Sequence, residues 1–396
     1  MPVGARKNRW YALALPILGK RCQWSQVSLH NETGYNHTSE MTLVLRRHHV
    51  VGGCVQLLRD GQLAETYTAG YASLSPRAAV MPETVFRTAS IAKLACAMLV
   101  MRLQTLGYLQ VEEDINALWG EPIRNPHCPD QPIPLASLLS HTSGIVDSPA
   151  YFRAFEQNTP ASDLLADPDT FAKRTPFERF QYSNFAAGLI GCLLERRFQA
   201  SLETLMQTYL FQPLAVDATF DLSSLIGRRV ASSYRVLPAG HTPDFDAAAR
   251  FRNASPLDMP DAEHHYLLAS GNLYLTAPAL AKLCLPLMNG GLFDSKPFIS
   301  PSALSVMIQP LTAWPEPEVR MRHAMGILEV DDNRIHPQRL WGHQGFAYGA
   351  VNGVFWDAKG NGFVSLNAGA SEQRMGHLSC LNRDLIALCI PEASYE

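Results

Sequence analysis

Two apolar, β-prone runs near the start of the chain, 50–58 (VVGGCVQLL) and 64–72 (AETYTAGYA), flank Arg59-Asp60-Gly61. An Asp-Gly pair tolerates the positive φ angles of a tight turn, so this pattern predicts an antiparallel hairpin. A second pair of runs, AVNGVFW and GFVSLNAG, brackets the turn-rich stretch 357–362 near the other end. Leu378, Leu381, Leu385 and Leu388 then recur at three- and four-residue intervals, which predicts a helix with one apolar stripe. Strands from both ends of the chain point to one antiparallel sheet backed by terminal helices.

The middle has a different period. Helical spacing dominates at 90–107, 135–140, 184–210 and 276–289, and Thr276 before Pro278 reads as a cap followed by a first-turn proline. The stretch 219–266, rich in Arg, Asp and Pro, lacks a clean period and predicts loops over a cleft. The fold class is therefore α/β in its α+β form. One catalytic-sized unit spans 36–390, with a sheet lobe at about 36–89 and 320–390 split by a mainly helical lobe at about 90–319. Residues 1–35 read as a loosely attached extension. Arg6, Lys7 and Arg9 precede an apolar run from Trp10 to Gly19, but Pro16 interrupts it and Lys20 and Arg21 follow at once. That run is too short to span a bilayer as a helix, and no later stretch reaches that length.

Composition narrows the function. With 47% hydrophobic and 17% charged residues among 396, the chain can bury a large core. A net charge of -3, without long basic runs, gives no reason to expect nucleic acid and favours a small-molecule or peptide substrate. The eight cysteines are never closer than nine residues, which excludes CxxC metal or redox motifs. Cys96, Cys192 and Cys284 lie in apolar helical runs, where a thiol packs as a small hydrophobe. No metal or cofactor is expected. Unpatterned cysteines and a weak N-terminal signal favour a reducing, cytoplasmic interior.

The chemistry concentrates in four segments. Ser90 and Lys93 stand three residues apart in FRTASIAKLAC, at the start of a helix apolar nearly all round. They share a helix face one turn apart, and a buried lysine tends to release its proton. A serine in the first turn also offers its backbone N–H to a developing oxyanion. Tyr182-Ser183-Asn184 precedes an apolar helical run and supplies a phenol for proton relay and an amide for hydrogen bonding. His343-Gln344-Gly345-Phe346 opens a strand, where Gly345 admits close backbone approach and the Phe346 N–H is a second oxyanion donor. LLSHTSGI, residues 138–145, reads as an architectural helix end and turn.

In order and spacing these segments resemble class C-like β-lactamases and the related penicillin-binding DD-peptidases, over about residues 50–390. The resemblance implies an antiparallel sheet with an all-helical lobe and the site between them. It also implies Ser90 as nucleophile, Lys93 as its activating base, Tyr182 and Asn184 as proton-relay and substrate-binding pair, and Gly345 and Phe346 on the oxyanion strand. His343 departs from the lysine usual at that position, as Gln344 does from threonine. The HxG form is similar to a subset of DD-carboxypeptidases, D-amino-acid peptidases and family esterases. It predicts a substrate carboxylate met by an imidazolium at His343, and weaker action on β-lactams. An esterase or acyltransferase on the same machinery is the competing expectation, and a non-catalytic scaffold is disfavoured by intact Ser90, Lys93 and Tyr182.

Overall fold

The Asp60-Gly61 turn forms as expected, with φ of 48° and 67°. The computed structural model describes residues 21–31, 36–245, 257–313 and 319–392, together with 14, 15, 17 and 19. In chain order, the elements that frame the site begin with β1 (Ser28–His30), α1 (Thr38–Arg47), β2 (Gly52–Arg59), β3 (Gln62–Leu74), α2 (Ala92–Thr105) and α3 (Asn184–Phe198). The hairpin strands β4 (Ser233–Leu237) and β5 (Gly240–Phe245) follow, then α4 (Tyr266–Ala269) and α5 (Ala277–Met288). The last third holds β6 (Thr312–Ala313), β7 (Met321–His323), β8 (Leu328–Val330), β9 (Leu340–Ala347), β10 (Ala350–Trp356) and β11 (Gly362–Asn367). It closes with the small hairpin β12 (Arg374–Met375) and β13 (Leu378–Ser379), then α6 (Cys380–Cys389).

The two ends of the chain meet in one antiparallel sheet of order β1-β3-β2-β11-β10-β9-β8-β7-β6, with β2 paired to β11 from Gly53↔Asn367 to Leu58↔Gly362. Both faces are covered. Cys54, Leu58, Val354, Trp356, Val364 and Leu366 join the core of the helical lobe, while Val55, Leu57, Val351, Phe355 and Phe363 join a second core with residues of α1 and α6. Alternate residues thus serve opposite cores, which is why these strands are written as continuous apolar runs. The expected α+β fold is present. Thr276 caps α5 by accepting the Ala279 N–H at 3.1 Å, and Ser379 caps α6.

Three expectations change. Residues 21–31 do not trail from the fold: β1 pairs with the edge of β3, and the buried Trp24 donates its indole N–H to the Val50 carbonyl at 2.9 Å. Most of the apolar run 10–19 lies outside the described residues. Within 219–266 the hairpin β4–β5 replaces part of the expected loop, because Tyr234 and Val236 bury against Val51 and Ala368. Two inward residues in a five-residue strand leave too short a period to read; residues 246–256 lie outside the described residues. Leu378 belongs to β13, and the buried stripe of α6 is Leu381, Leu385, Ile386 and Cys389. All eight cysteines are free, and burial pushes the thiols of Cys54, Cys96, Cys284 and Cys389 up to about 12. No helix among the described residues is long and apolar enough to cross a membrane.

Candidate active site

Ser90 sits in a single 3-10 turn, Ala89–Ile91, that winds directly into α2. Ala89, immediately before it, has φ of +53°, an unfavourable value for a residue with a Cβ. That bend turns the Ser90 hydroxyl out of a helix whose other residues from Ala92 to Met101 are all buried, Lys93 included. Lys93 Nζ donates to Ser90 Oγ at 3.3 Å, to Asn184 Oδ1 at 3.0 Å and, more closely, to the Ser270 carbonyl. Three acceptors match the three N–H donors of an ammonium. Ser270 follows α4 and was not among the expected site residues; a main-chain acceptor leaves no signature in sequence.

Tyr182 lies half-buried just ahead of α3, with its hydroxyl donating to Ser90 Oγ at 2.8 Å and its ring centroid 5.1 Å from Lys93 Nζ. Ser183 is the N-cap of α3, accepting the Ala186 N–H at 3.0 Å. Asn184 is turned by Asp147, which accepts from Asn184 Nδ2 at 2.9 Å, from Ser183 Oγ at 3.0 Å and from the Phe185 N–H at 2.9 Å. With its amide nitrogen on Asp147, Asn184 presents its oxygen to Lys93. Asp147 also escaped the sequence reading, although it stands two residues beyond LLSHTSGI. That segment clamps the Tyr182 loop: the His141 carbonyl accepts the Gln181 N–H at 2.8 Å, and His141 Nδ1 accepts the Ser183 N–H at 3.3 Å.

The third segment runs along β9. A Cβ on Gly345 would stand 2.3 Å from the Thr88 carbonyl and 3.2 Å from the Ser90 nitrogen. Glycine is required here so that the strand can approach the turn carrying Ser90; the close approach is between two parts of the protein. Phe346 pairs in register with Val351, and its ring packs toward the core of the terminal helices. Beyond Gly342, the side of β9 that β8 occupies carries no paired strand among the described residues.

His343 shares the Gly345 face of β9, but it does not reach solvent. It is 2% exposed, Nδ1 lies 2.9 Å from the Gln344 carbonyl, and Nε2 has no hydrogen-bond partner among the described residues. Burial first, then the charges of His323 and Lys93, hold its pKa down to about 3. The expected imidazolium for a substrate carboxylate is therefore replaced by a neutral, buried ring. His323 and His141 complete a buried trio behind Tyr182: the His141 ring is 4.4 Å from Tyr182 and 5.0 Å from His323, which is 6.3 Å from His343. Burial and Lys93 also hold His323 down to about 4, and His141 well below the usual histidine range. Gln344 faces the other way and fastens α6 through the His377 carbonyl and the Ser379 N–H.

The family model described as Beta-lactamase matches residues 34–371. The chain belongs to that family. Its members are serine hydrolases. Among curated proteins, penicillin-binding protein 4* of Bacillus subtilis (strain 168) is 24% identical over 46% of this chain and 41% of that protein. The chain spans about half or less of the length of such relatives. The octameric penicillin-binding protein homologue from Pyrococcus abyssi superposes with a TM-score of 0.70 at 21% identity, covering 88% of this chain and 76% of that one. EstCE1, a hydrolase with promiscuous acyltransferase activity, superposes at 0.69 and 19% identity, covering 96% and 100%. At these identities the structural likeness establishes the beta-lactamase fold.

Proposed function

We propose that the protein hydrolyses an amide or ester through an acyl-enzyme on Ser90, most in the manner of a D-Ala-D-Ala carboxypeptidase or D-aminopeptidase. The observation that carries this reading is the convergence of Tyr182 Oη at 2.8 Å and Lys93 Nζ at 3.3 Å on Ser90 Oγ. In the reactive form the Tyr182–Lys93 pair holds one proton fewer than a phenol and an ammonium together, and as Oγ bonds to the substrate carbonyl carbon the Ser90 proton fills that vacancy. The tetrahedral oxyanion is taken by the N–H groups of Ser90 and Phe346. When the C–N or C–O bond breaks, the pair returns the proton to the leaving amine or alcohol. Water then repeats the sequence on the acyl-enzyme and releases the acid with Ser90 restored. Asn184 positions Lys93 and the substrate.

A second reading, esterase or acyltransferase, draws support from the neutral His343 and from the full-length likeness to EstCE1. In it an alcohol replaces the leaving amine or the attacking water. Parallel assays with a fluorescent penicillin, a p-nitrophenyl ester and a D-alanyl peptide separate the two. Release of D-alanine faster than ester cleavage supports the first reading, ester cleavage alone supports the second, and no turnover of any of them rejects both.

A further inference from the structure

Away from Ser90, three segments of the chain close around a cavity of about 650 Å³, lined in part by Arg21, Cys22, Gln23, Leu74, Arg77 and His241. Its walls are tied to one another. The Tyr71 hydroxyl donates to the Gln23 carbonyl at 3.2 Å, and the Arg77 guanidinium lies 5.4 Å from the centroid of the same ring. Leu74 and Arg77 pair across the turn that follows β3, and the Leu74 N–H donates to Tyr234 Oη at 2.8 Å, which joins that wall to the β4–β5 hairpin. His241 stands directly opposite Val236 in the hairpin, so its ring shares the face of that buried side chain. Four inter-strand steps, about 19 Å, separate β3 from β9, so this cavity is distinct from the Ser90 cleft.

The lining is cationic and unbalanced. Arg21 and Arg77 are exposed, neither has a hydrogen bond or ion pair among the described residues, and none of the lining residues is acidic. Cys22 does not offset them, because burial raises its thiol even with Arg77 alongside. His241 Nε2 is buried with no hydrogen-bond partner among the described residues, and the same holds for both ring nitrogens of the buried His49. Burial first, then the charges of Arg21 and His241, hold the His49 ring down to about 4. Unpaired buried polar atoms are rare in native proteins, and two unpaired guanidinium forks beside one call for an anion with several acceptor oxygens. A carboxylate fills one fork. A phosphomonoester has three terminal oxygens and, with its second ionisation near 6, close to two charges at neutral pH. The volume lies within the usual range of small-molecule sites, about 300–1,000 Å³, and leaves room for a carbon body against Leu74.

We propose that this cavity binds a small organic phosphomonoester, with Arg21 and Arg77 holding the phosphate, His241 Nε2 donating to one of its oxygens and Leu74 covering the carbon body. The site stands independently of the acyl-enzyme on Ser90.

The test is calorimetric titration of the full chain with phenyl phosphate at pH 7.5. One saturable site is expected, with a Kd below about 1 mM. Arg21→Gln and Arg77→Gln should each weaken binding about 10-fold or more, and Arg77→Lys, which keeps the charge without the fork, should weaken it less. Ser90→Ala should leave it unchanged. Benzoate has the ring with a single charge, and inorganic phosphate has the charge without the ring; each should bind at least about 10-fold more weakly than phenyl phosphate. Thermal melts of the Gln variants within a few degrees of the parent exclude misfolding, and His241→Gln supplies a third variant on a different segment. No saturable binding, an affinity unchanged in both arginine variants, or loss of binding in Ser90→Ala overturns the proposal. So does benzoate or inorganic phosphate binding as tightly as phenyl phosphate. Retention on phosphatidic acid vesicles without binding of soluble phenyl phosphate overturns it too, because the phosphate would then be met only at a lipid surface.

Discussion

The buried histidines make stability fall in acid by an amount that the structure sets. His343 and His323 stay neutral in the folded protein down to about 3 and about 4 respectively, chiefly through burial. In the unfolded chain each takes up a proton near pH 6.5. Between those limits the unfolded state binds one more proton per histidine. The contribution of neutral burial is thus fully present above about pH 6.5 and is lost as pH falls, at about 1.4 kcal/mol per pH unit for each ring. At pH 5 the two rings together remove about 4 kcal/mol, a large share of an ordinary domain stability of about 5–15 kcal/mol. His141 acts in the same direction. Urea unfolding followed by tryptophan fluorescence, at intervals from pH 7.5 to 5, measures the slope. His323→Gln lowers absolute stability by opening the packing, but the slope is the informative quantity: it should become shallower by about 1.4 kcal/mol per unit. A slope identical to that of the unmutated protein would refute the reasoning, because it would mean that His323 titrates alike in both states.

Lys93→Arg keeps a positive charge but is unable to give up a proton, so ester turnover should drop at least about 100-fold while far-UV circular dichroism stays unchanged. Gly345→Ala drives a methyl against the Thr88 carbonyl, so stability should fall by about 1–3 kcal/mol in urea titrations, with a further loss in kcat from the displaced Ser90 turn. Asp147→Asn sets two amide nitrogens against each other at Asn184; kcat should fall by about 10- to 100-fold, the scale of a lost charged hydrogen bond, with KM moving less.

Sequence periodicity reached the fold wherever one residue class had one reason to be there. Asp60-Gly61 fixed a turn, the apolar runs fixed strands buried on both faces, and Thr276 with Pro278 fixed a helix start. It failed where a short element depends on a distant partner. The strand β1 exists because the edge of β3 is there to receive it, and β4 because Val51 and Ala368 cover Tyr234 and Val236. At the site, Lys93 and Tyr182 both hydrogen-bond Ser90 Oγ and Lys93 also reaches Asn184, so the four residues that the motifs singled out stand together. Asp147 and the Ser270 carbonyl work through geometry that no spacing encodes. His343 was misread for a related reason: a histidine on a site strand carries no mark of whether it faces water or two other histidines, and the latter decides its charge.

The central claim is the covalent one. Intact-mass spectrometry after incubation with a fluorophosphonate or a penicillin should show one stoichiometric adduct, located by peptide mapping to Ser90. Ser90→Ala should show none, while a melt confirms that the Ala protein is folded. An adduct of equal yield on the Ala protein, or one that maps to another residue, would contradict the account.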